Sequence, residues 1–403
     1  MLTLEAKTQF GELLEKSIEK LDISDAQFEA ATERYKAVGE WLGGEESPLA
    51  KFEPEIRPQG SFRFGTVIKP WDRDDEFDLD FTFKLQKLSK LYITQKELKN
   101  LVGDRLKDEK SRYKNMLGKE KRRCWTVEYA DGTGFHMDIV PAISDDYEWL
   151  LALGVPEDIA KHAVCITDKK TWNNGNDWPK SNPEGYALWF TDRMKTRYIV
   201  IEAAMRKALQ LDKVPAHKIK TPLQRSIQLL KRHRDWMFGD DENKPASIII
   251  TTLAALAYNN EEHLYDALSG ILSKMNDARF IRTEGGLYVI ENPVNPRRNG
   301  HEGENFADKW NENREKAINF FQWLEAARKY FLSFTEMRGL PVLAKSLQPV
   351  IGERYVNESL DEIANAQRHS RESGLLKMSA GTGTLGSVGR APVKNHTFHG
   401  NDE

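Results

Sequence analysis

The chain has 403 residues, of which 39% are hydrophobic, and a formal net charge of -3 at pH 7. This length allows two domains with ordinary cores, and the near-neutral charge means that any binding of polyanions must rely on a local basic patch. The chain contains two cysteines and no CxxC pair, which argues against a disulfide framework and a structural zinc site and indicates a reducing compartment.

No segment of the sequence predicts transport to or across a membrane. Residues 1–17 carry charges throughout and lack the apolar stretch of a signal peptide. The longest apolar run, residues 246–258, is too short to span a bilayer and predicts a buried helix. We therefore expect a cytoplasmic protein without a membrane partner.

The hydrophobic periodicity changes along the chain from mixed to nearly all helical. Residues 3–42 predict two amphipathic helices, and residues 94–117 predict another. Residues 124–142 predict a β-hairpin that turns at Asp131-Gly132. Further helices are predicted at 186–211, 221–238, 246–258, 261–275 and 304–336. After about residue 371, glycine and small polar residues predict a flexible tail.

The most informative stretch is residues 58–83, where a glycine–serine turn precedes a strand with two aspartates. Side chains alternate along a strand, so Asp78 and Asp80 share one face while the apolar residues share the other. The apolar face can bury against a core, which leaves two carboxylates side by side. These carboxylates repel each other unless a cation lies between them, and oxygen ligands suit hard divalent ions. The pair therefore predicts a metal site.

A third carboxylate, Asp138, lies on the return strand of the predicted hairpin and faces away from its apolar neighbours. Three carboxylates on two strands are typical of two-metal nucleotidyl transfer, in which one metal activates a hydroxyl and the other neutralises departing pyrophosphate. Gly60 lets the main chain approach a phosphate, and Ser61 can donate its hydroxyl and open a short helix. The alternative is that the aspartates face solvent on an edge strand and that Ser61 is an ordinary helix cap.

A second polar cluster falls in the predicted helix 221–238. The residues that share one face at helical spacing are Gln224, Gln228, Lys231 and Asp235. Lys231 would project into a cleft and bind a triphosphate as a point charge, and Ser247 at the start of the next helix would add a hydroxyl. The alternative for Lys231 is a solvated surface lysine.

A basic run contains Lys119, Lys121, Arg122 and Arg123. Such a run is typical of a solvated strand edge. In a nucleotide-joining enzyme, it would instead draw nucleotides toward the cleft.

These motifs together resemble a known family. Gln59-Gly60-Ser61, Gly65-Thr66, the FDLD run with Asp78 and Asp80, and HMDIVPA with Asp138 look like the motifs of the CD-NTase family. This family comprises the cyclic GMP-AMP synthase and DncV-like nucleotidyltransferases, including the bacterial oligonucleotide cyclases of CBASS anti-phage systems. PLQRSIQLLKRHRD, SIIITTLAALAY and NPVNP with ENFADKW resemble the helical lobe of the same enzymes, so the resemblance extends over roughly residues 5–340.

The resemblance implies an α+β fold, with a polymerase-β-like nucleotidyltransferase core and an all-helical, oligoadenylate-synthetase-like C-terminal lobe. The shift from mixed to nearly all-helical composition near residue 200 divides the chain into a catalytic lobe (1–200), a helical lobe (201–370) and a flexible tail (371–403). The resemblance also implies that Asp78, Asp80 and Asp138 are catalytic and hold Mg²⁺ or Mn²⁺. The nucleotide-binding residues that it implies are Gln59, Gly60, Ser61, Lys231 and Ser247.

The leading hypothesis is a magnesium-dependent nucleotidyltransferase that joins nucleoside triphosphates, ATP first among them, into a cyclic di- or trinucleotide messenger for anti-phage defence. One active site would make a linear intermediate, release pyrophosphate and then close the ring. The product's bases, linkage and ring size stay open. An accessory protein acting on the C-terminal tail is a further expected partner, and no stable nucleic-acid partner is expected.

Two alternatives stay open from the sequence. The first is a template-independent transferase that makes linear oligonucleotides or adds nucleotides to RNA. The second is a catalytically silent nucleotide sensor, against which the retention of three mutually repelling carboxylates argues.

Overall fold

The structure, a computed structural model, describes residues 4–71, 77–129, 135–174, 177–297, 303–337, 339–378, 385–386 and 390–393. The helices in these ranges are α1 (Leu4–Glu19), α2 (Asp25–Gly43), α3 (Gly60–Phe64), α4 (Gln95–Lys107), α5 (Glu148–Ala152), α6 (Glu157–Ala160), α7 (Pro183–Leu209), α8 (Pro222–Phe238), α9 (Ser247–Ala257), α10 (Leu264–Lys274), α11 (Asp308–Glu312), α12 (Arg314–Leu332), α13 (Leu340–Ile351) and α14 (Glu353–Glu372). The strands are β1 (Pro54–Pro58), β2 (Phe77–Leu85), β3 (Trp125–Glu128), β4 (Phe135–Ser144), β5 (Val164–Ile166), β6 (Lys180–Ser181), β7 (Arg282–Glu284), β8 (Leu287–Val289), β9 (Lys377–Met378), β10 (Leu385–Gly386) and β11 (Ala391–Pro392).

A mixed sheet forms the centre of the first half of the chain. Its strand order is β1-β2-β4-β5-β6, and β3 also pairs with β4. Strands β2 and β4 run parallel, whereas the other pairings in this sheet are antiparallel. Parallel neighbours need a crossover connection, which contains α4 and β3. The predicted α+β fold class is confirmed.

Two of the local predictions are also confirmed. Strands β3 and β4 form the predicted antiparallel hairpin, with Trp125 opposite Ile139. The predicted turn Asp131-Gly132 lies outside the described residues. The two N-terminal helices are separated where predicted, and Ser24 caps α2 in a capping box with Gln27.

The two largest hydrophobic clusters of the described residues form most of the interior. One surrounds the sheet and contains the apolar face of β2 with residues of α2 and α4. The other joins the helices from α7 onward and also contains Phe10, Leu13 and Ile18 of α1. Helix α1 therefore packs on the helical lobe, whereas the sequence division placed it in the catalytic lobe. An amphipathic stripe predicts that a helix buries one face, but it does not specify the element against which that face packs.

The second half of the chain contains elements that the sequence reasoning did not identify. Strands β7 and β8 form a hairpin that turns at Gly285 and Gly286, which both have positive φ (57° and 80°). The Gly-Gly pair between two short runs of strand-favouring residues could have predicted this hairpin from the sequence. Helices α13 and α14 extend the helical lobe to Glu372.

Short strands follow α14, where β9 pairs with β10 and β11. The flexible tail at 371–403 stays a prediction, because many of its residues lie outside the described ranges. None of the helices in those ranges has both the length and the apolar character needed to cross a bilayer.

Residues 64–70, here named the linking segment, are joined to α8 and to Lys220, which precedes it, by hydrogen bonds to main-chain carbonyls. The donor–acceptor pairs are Gln224 with Phe64 (2.9 Å), Lys220 with Gly65 (2.8 Å), Lys231 with Thr66 (3.0 Å), Gln228 with Val67 (2.8 Å) and Arg232 with Lys69 and Pro70 (3.4 and 3.2 Å). Buried carbonyls of an irregular segment require such partners. These contacts connect the helical lobe to the main chain that leads toward β2.

Replacing Gln228 with Ala tests this connection. Gln228 is fully buried, so the variant leaves the Val67 carbonyl without its donor. We expect the free energy of unfolding to fall by about 1–3 kcal/mol. Chemical denaturation followed by circular dichroism measures this change. Gln86→Ala, at an exposed glutamine, is the control and should change stability by less than about 0.5 kcal/mol. Equal stability of the two variants would contradict the proposed connection.

Candidate active site

The alternation predicted for β2 is present. Asp78 is exposed and Asp80 is half-buried, whereas the apolar residues beside them are buried. The parallel register pairs Asp80 with Asp138 and Asp78 with His136. Paired residues of neighbouring strands lie on the same face of the sheet. The register therefore brings the three predicted carboxylates together at one end of β2 and β4.

The turn before α3 brings main chain against Asp80. Gly60 has a left-handed backbone (φ 65°), and a Cβ at this position would lie 2.6 Å from Asp80 Oδ2. The main-chain N–H of Gln59 donates to the carbonyl oxygen of Asp80 (2.9 Å). The Gln59 side chain accepts a hydrogen bond from Thr82 Oγ1 (2.9 Å). The Gln59-Gly60 turn is therefore fixed on the strand that carries the two aspartates.

A cleft of about 550 Å³ opens beside these strands, between the two lobes. The predicted residues that line it are Ser61, Asp78, Lys231 and Ser247. The other polar or aromatic lining residues are Trp71, Phe77, His136, Arg234, Asp235, Asp240 and Lys244. The predicted residues Gln59, Gly60, Asp80 and Asp138 do not line the cleft, but each lies within two residues of a lining residue along the chain.

Lys231 is buried, with 6% of its surface exposed, so the alternative of a solvated surface lysine is wrong. Its ammonium donates to the Thr66 carbonyl at 3.0 Å. Burial lowers the pKa of Lys231 to about 8, so the side chain remains largely protonated at neutral pH. An ammonium has three N–H donors, so one bond to a carbonyl leaves donors for an anion in the cleft.

Arg234 is a cleft residue that the sequence reasoning missed. Its guanidinium donates to Ser247 Oγ (2.7 Å) and forms an ion pair with Asp235 (2.6 Å). Arg234 therefore connects α8 to the start of α9 and adds a second cation to the wall that carries Lys231. The spacing of three residues between Lys231 and Arg234, which places them on neighbouring positions of a helix, was the available signal.

The surroundings of Asp80 raise its pKa strongly. Burial, together with the negative charges of Asp78 and Asp138, raises the pKa of Asp80 to about 7. A carboxyl group with such a pKa lacks sufficient positive charge nearby. This environment favours the binding of a cation.

Protein cations are bound to the other two carboxylates. Asp78 pairs with His136 on β4, and this hydrogen bond raises the pKa of the imidazole. Asp138 accepts hydrogen bonds from Lys121 Nζ at 2.9 and 3.1 Å and from Thr126 Oγ1 at 2.6 Å. The sequence reasoning did not connect either cation with the aspartates, because strand register and loop position bring them together.

The donor set suits a hard divalent ion, since three carboxylates supply oxygen ligands and the charges of Lys121 and His136 do not offset the burial and repulsion that raise the pKa of Asp80. Within the described ranges, no three His, Cys, Asp or Glu side chains are arranged to hold a metal ion. Asp78 and Asp138 bind His136 and Lys121 instead. Metal binding would therefore require these side chains to exchange their protein partners for the metal.

Comparisons with known proteins show which proteins this chain is similar to. A family model described as "Cyclic GMP-AMP synthase DncV-like, nucleotidyltransferase domain" matches residues 54–141. The c-di-GMP synthase of Roseivirga ehrenbergii is 29% identical, over 99% of this chain and 100% of its own length. The cyclic dinucleotide synthase CdnG of Bradyrhizobium diazoefficiens is 25% identical, over 92% of this chain and 89% of its own.

Solved structures have the same fold. B. diazoefficiens CdnG in complex with GTP gives a TM-score of 0.65 at 19% identity, covering 88% of this chain and 99% of that chain. The complex of E. coli MS115-1 CdnC with HORMA-deltaN gives a TM-score of 0.56 at 15% identity, covering 84% and 96%.

The fold and the matched domain define the chain as a nucleotidyltransferase. The matched domain and these relatives support the CD-NTase family, the cyclic GMP-AMP synthase and DncV-like nucleotidyltransferases, which the motifs of the sequence had indicated.

Gly60→Ala should disturb the site as well as the backbone. A left-handed conformation costs alanine about 1–2 kcal/mol, and the new methyl group would press against Asp80. Because small misplacements of reacting groups are costly, we expect nucleotidyl-transfer activity to fall roughly 10- to 100-fold. Activity and thermal unfolding are measured on the same preparation.

Gly154→Ala is the matched control. Gly154 also has a positive φ (82°), but no atom of the described residues lies within 4 Å of the position that its Cβ would occupy. This variant should lose similar stability and keep its activity. An equal loss of activity in both variants would show that backbone strain, rather than contact with Asp80, is responsible.

Proposed function

We propose that this protein is a cyclic dinucleotide synthase that joins two nucleoside triphosphates, with GTP as a substrate, and releases pyrophosphate. The observation that carries the proposal is the cleft in which Ser61, Asp78, Lys231 and Ser247 meet beside the Asp80–Asp138 strand pair. Its volume of about 550 Å³ lies in the range of small-molecule sites.

In this proposal, Asp78, Asp80 and Asp138 hold Mg²⁺, for which Mn²⁺ can substitute because both prefer oxygen ligands. The metal would neutralise charge on the phosphates and increase the acidity of the attacking hydroxyl. The raised pKa of Asp80 supports this role, since a bound cation would relieve the repulsion that contributes to it.

The polar walls of the cleft would orient the triphosphate. Lys231 and Arg234 supply two cations, and the hydroxyls of Ser61 and Ser247 can donate to phosphate oxygens. The hydroxyl of the second nucleotide would attack the α-phosphorus in line, forming one P–O bond as the bond to pyrophosphate breaks and the hydroxyl proton leaves. A second transfer of the same kind would close the ring and release a second pyrophosphate.

The relatives favour guanine over adenine as the first base to test. The sequence hypothesis placed ATP first. The relative that matches nearly the whole chain is named a c-di-GMP synthase, and CdnG was solved with GTP. We therefore propose GTP as the preferred substrate, with cyclic di-GMP as the first expected product.

The charges of the cleft weigh against the alternative of RNA extension. Its acidic residues Asp78, Asp235 and Asp240 balance the basic residues Lys231, Arg234 and Lys244. Proteins that follow a nucleic-acid backbone rely on an excess of positive charge. A balanced cleft is better suited to single nucleotides neutralised by metal ions.

Three finer expectations from the family resemblance stay predictions. These are the role in anti-phage defence, the cytoplasmic location and the action of an accessory protein on the C-terminal tail. CdnC was solved with a HORMA-deltaN partner, which makes a protein partner a reasonable expectation for this chain as well.

Incubation of the purified protein with magnesium and each labelled triphosphate, singly and in pairs, tests the proposed function. We expect a phosphatase-resistant product from GTP alone, identified by nuclease mapping and mass spectrometry. Asp78→Asn should reduce its formation at least about 100-fold, because it removes a metal ligand. Its thermal unfolding should match that of the unmodified chain. Only linear products under all conditions, or label in added RNA, would overturn the cyclase proposal.

Lys231→Met tests whether the ammonium of Lys231 binds the triphosphate. Loss of a buried ammonium that binds the triphosphate should weaken binding of a non-hydrolysable GTP analogue roughly 10- to 100-fold. Isothermal titration calorimetry gives the dissociation constant, and thermal unfolding reports the separate loss of the bond to Thr66. Lys274→Met, at an exposed lysine, is the control and should bind as the unmodified chain does. An unchanged dissociation constant for Lys231→Met would exclude a direct contact with the nucleotide.

A further inference from the structure

The basic run at residues 119–123 is held in place by a buried lysine. Lys99 is completely buried, and its ammonium donates to the main-chain carbonyls of Lys121, Arg122 and Cys124 at 2.9, 3.2 and 3.3 Å. Three hydrogen bonds to carbonyls satisfy all the donors of an ammonium. These bonds fix the main chain of the loop. A basic run of this kind is more typically a solvated strand edge.

The two arginines of the run are fixed as well. Both Arg122 and Arg123 pair with the buried carboxylate of Asp168, at 2.6 and 3.0 Å. The carbonyl of Arg123 also accepts a hydrogen bond from Thr167 Oγ1 (3.1 Å). These contacts show that both arginines hold the loop in place.

Lys121 is the member of the run that reaches the candidate active site. Its ammonium binds both oxygens of Asp138, at 2.9 and 3.1 Å, while its side chain is 48% exposed. Asp138 is the carboxylate whose strand register pairs it with Asp80. A long, half-exposed side chain on a fixed main chain can leave Asp138 without moving the loop.

We propose that Lys121 is a built-in counterion that competes with the divalent metal for Asp138 and thereby sets the metal affinity of the site. This inference rests on the proposed function, since it requires Asp138 to be a metal ligand. The physical reason is that the ammonium binds both oxygens of Asp138, at 3.1 and 2.9 Å. A metal ion that takes either oxygen as a ligand must therefore displace the ammonium from that oxygen.

Two consequences follow from the competition. Removal of the ammonium lowers the cost of metal binding at Asp138, so the metal affinity rises. The same removal leaves Asp78, Asp80 and Asp138 with less positive charge nearby, so the protein without metal becomes less stable. A lysine with only a structural role would produce the second effect without the first.

Titration of the full chain with Mn²⁺ alone, without nucleotide, tests the competition. Electron paramagnetic resonance of free Mn²⁺ gives the dissociation constant directly and does not depend on activity. We expect Lys121→Met to lower this constant about three- to fivefold, the size expected for loss of a half-exposed ion pair. Mn²⁺ should also raise the unfolding temperature of this variant more than that of the unmodified chain.

Three variants test whether the change in Mn²⁺ affinity depends on the Lys121–Asp138 ion pair. Lys121→Arg keeps the charge and should bind Mn²⁺ within about twofold of the unmodified chain. Lys119→Met removes an exposed lysine of the same run and should also leave the dissociation constant nearly unchanged. Asp138→Asn should weaken binding, which assigns the measured Mn²⁺ to this carboxylate.

An unchanged or higher dissociation constant for Lys121→Met would overturn the competition, as would the absence of saturable Mn²⁺ binding that depends on Asp138. The labelled-triphosphate experiment decides the proposed function separately. If the chain makes the cyclic product but Lys121→Met leaves the Mn²⁺ dissociation constant unchanged, the proposed function holds and the competition by Lys121 is wrong.

Discussion

The architecture depends on the hydrogen bonds that helix α8 makes to the linking segment. The carbonyls of this irregular segment are buried and need donors, and α8 supplies them from Gln224, Gln228 and Lys231 on one face. Because α8 belongs to the helical lobe and the linking segment leads toward β2, these bonds fix the wall of the cleft relative to the aspartates. Lys231 contributes to this architecture and lines the cleft at once. A single buried ammonium therefore takes part both in the packing of the lobes and in the wall of the cleft.

The candidate site concentrates charges that oppose one another. Three carboxylates lie on two adjacent strands, and burial together with the repulsion between them raises the pKa of Asp80. His136 and Lys121 compensate the other two carboxylates. A site of this kind is costly to fold because its charges are only partly neutralised, and the same imbalance provides the driving force for binding a cation. Lys231 and Arg234 lie on the wall of the cleft that α8 forms, and their positive charges nearly balance the acidic residues of the cleft. A nucleotide whose phosphates are neutralised by a metal ion suits such a balanced cleft.

Several parts of the fold and site were predictable because they depend on local periodicity. Alternation along β2 fixes the shared face of Asp78 and Asp80, and the helical spacing of Gln224, Gln228 and Lys231 fixes their shared face on α8. The parts that were missed depend on contacts between distant segments. The packing of helix α1 on the helical lobe was not predicted, since its stripe specifies burial but not a partner. The Lys121–Asp138 pair was missed because it requires both the hairpin register and the loop fixed by Lys99.

The sequence by itself determined the fold class, which follows from local periodicity, and it indicated the family and the candidate site residues through the resemblance of short motifs. The tertiary structure decided how those motifs meet. Only the parallel register of β2 and β4 places Asp80 beside Asp138, and only the burial of α8 turns Lys231 from a candidate surface lysine into a cation of the cleft. The physical reason is that alternation and helical pitch are properties of a few neighbouring residues. The pairing of strands and the neutralisation of charge are properties of segments that come together only when the whole chain has folded.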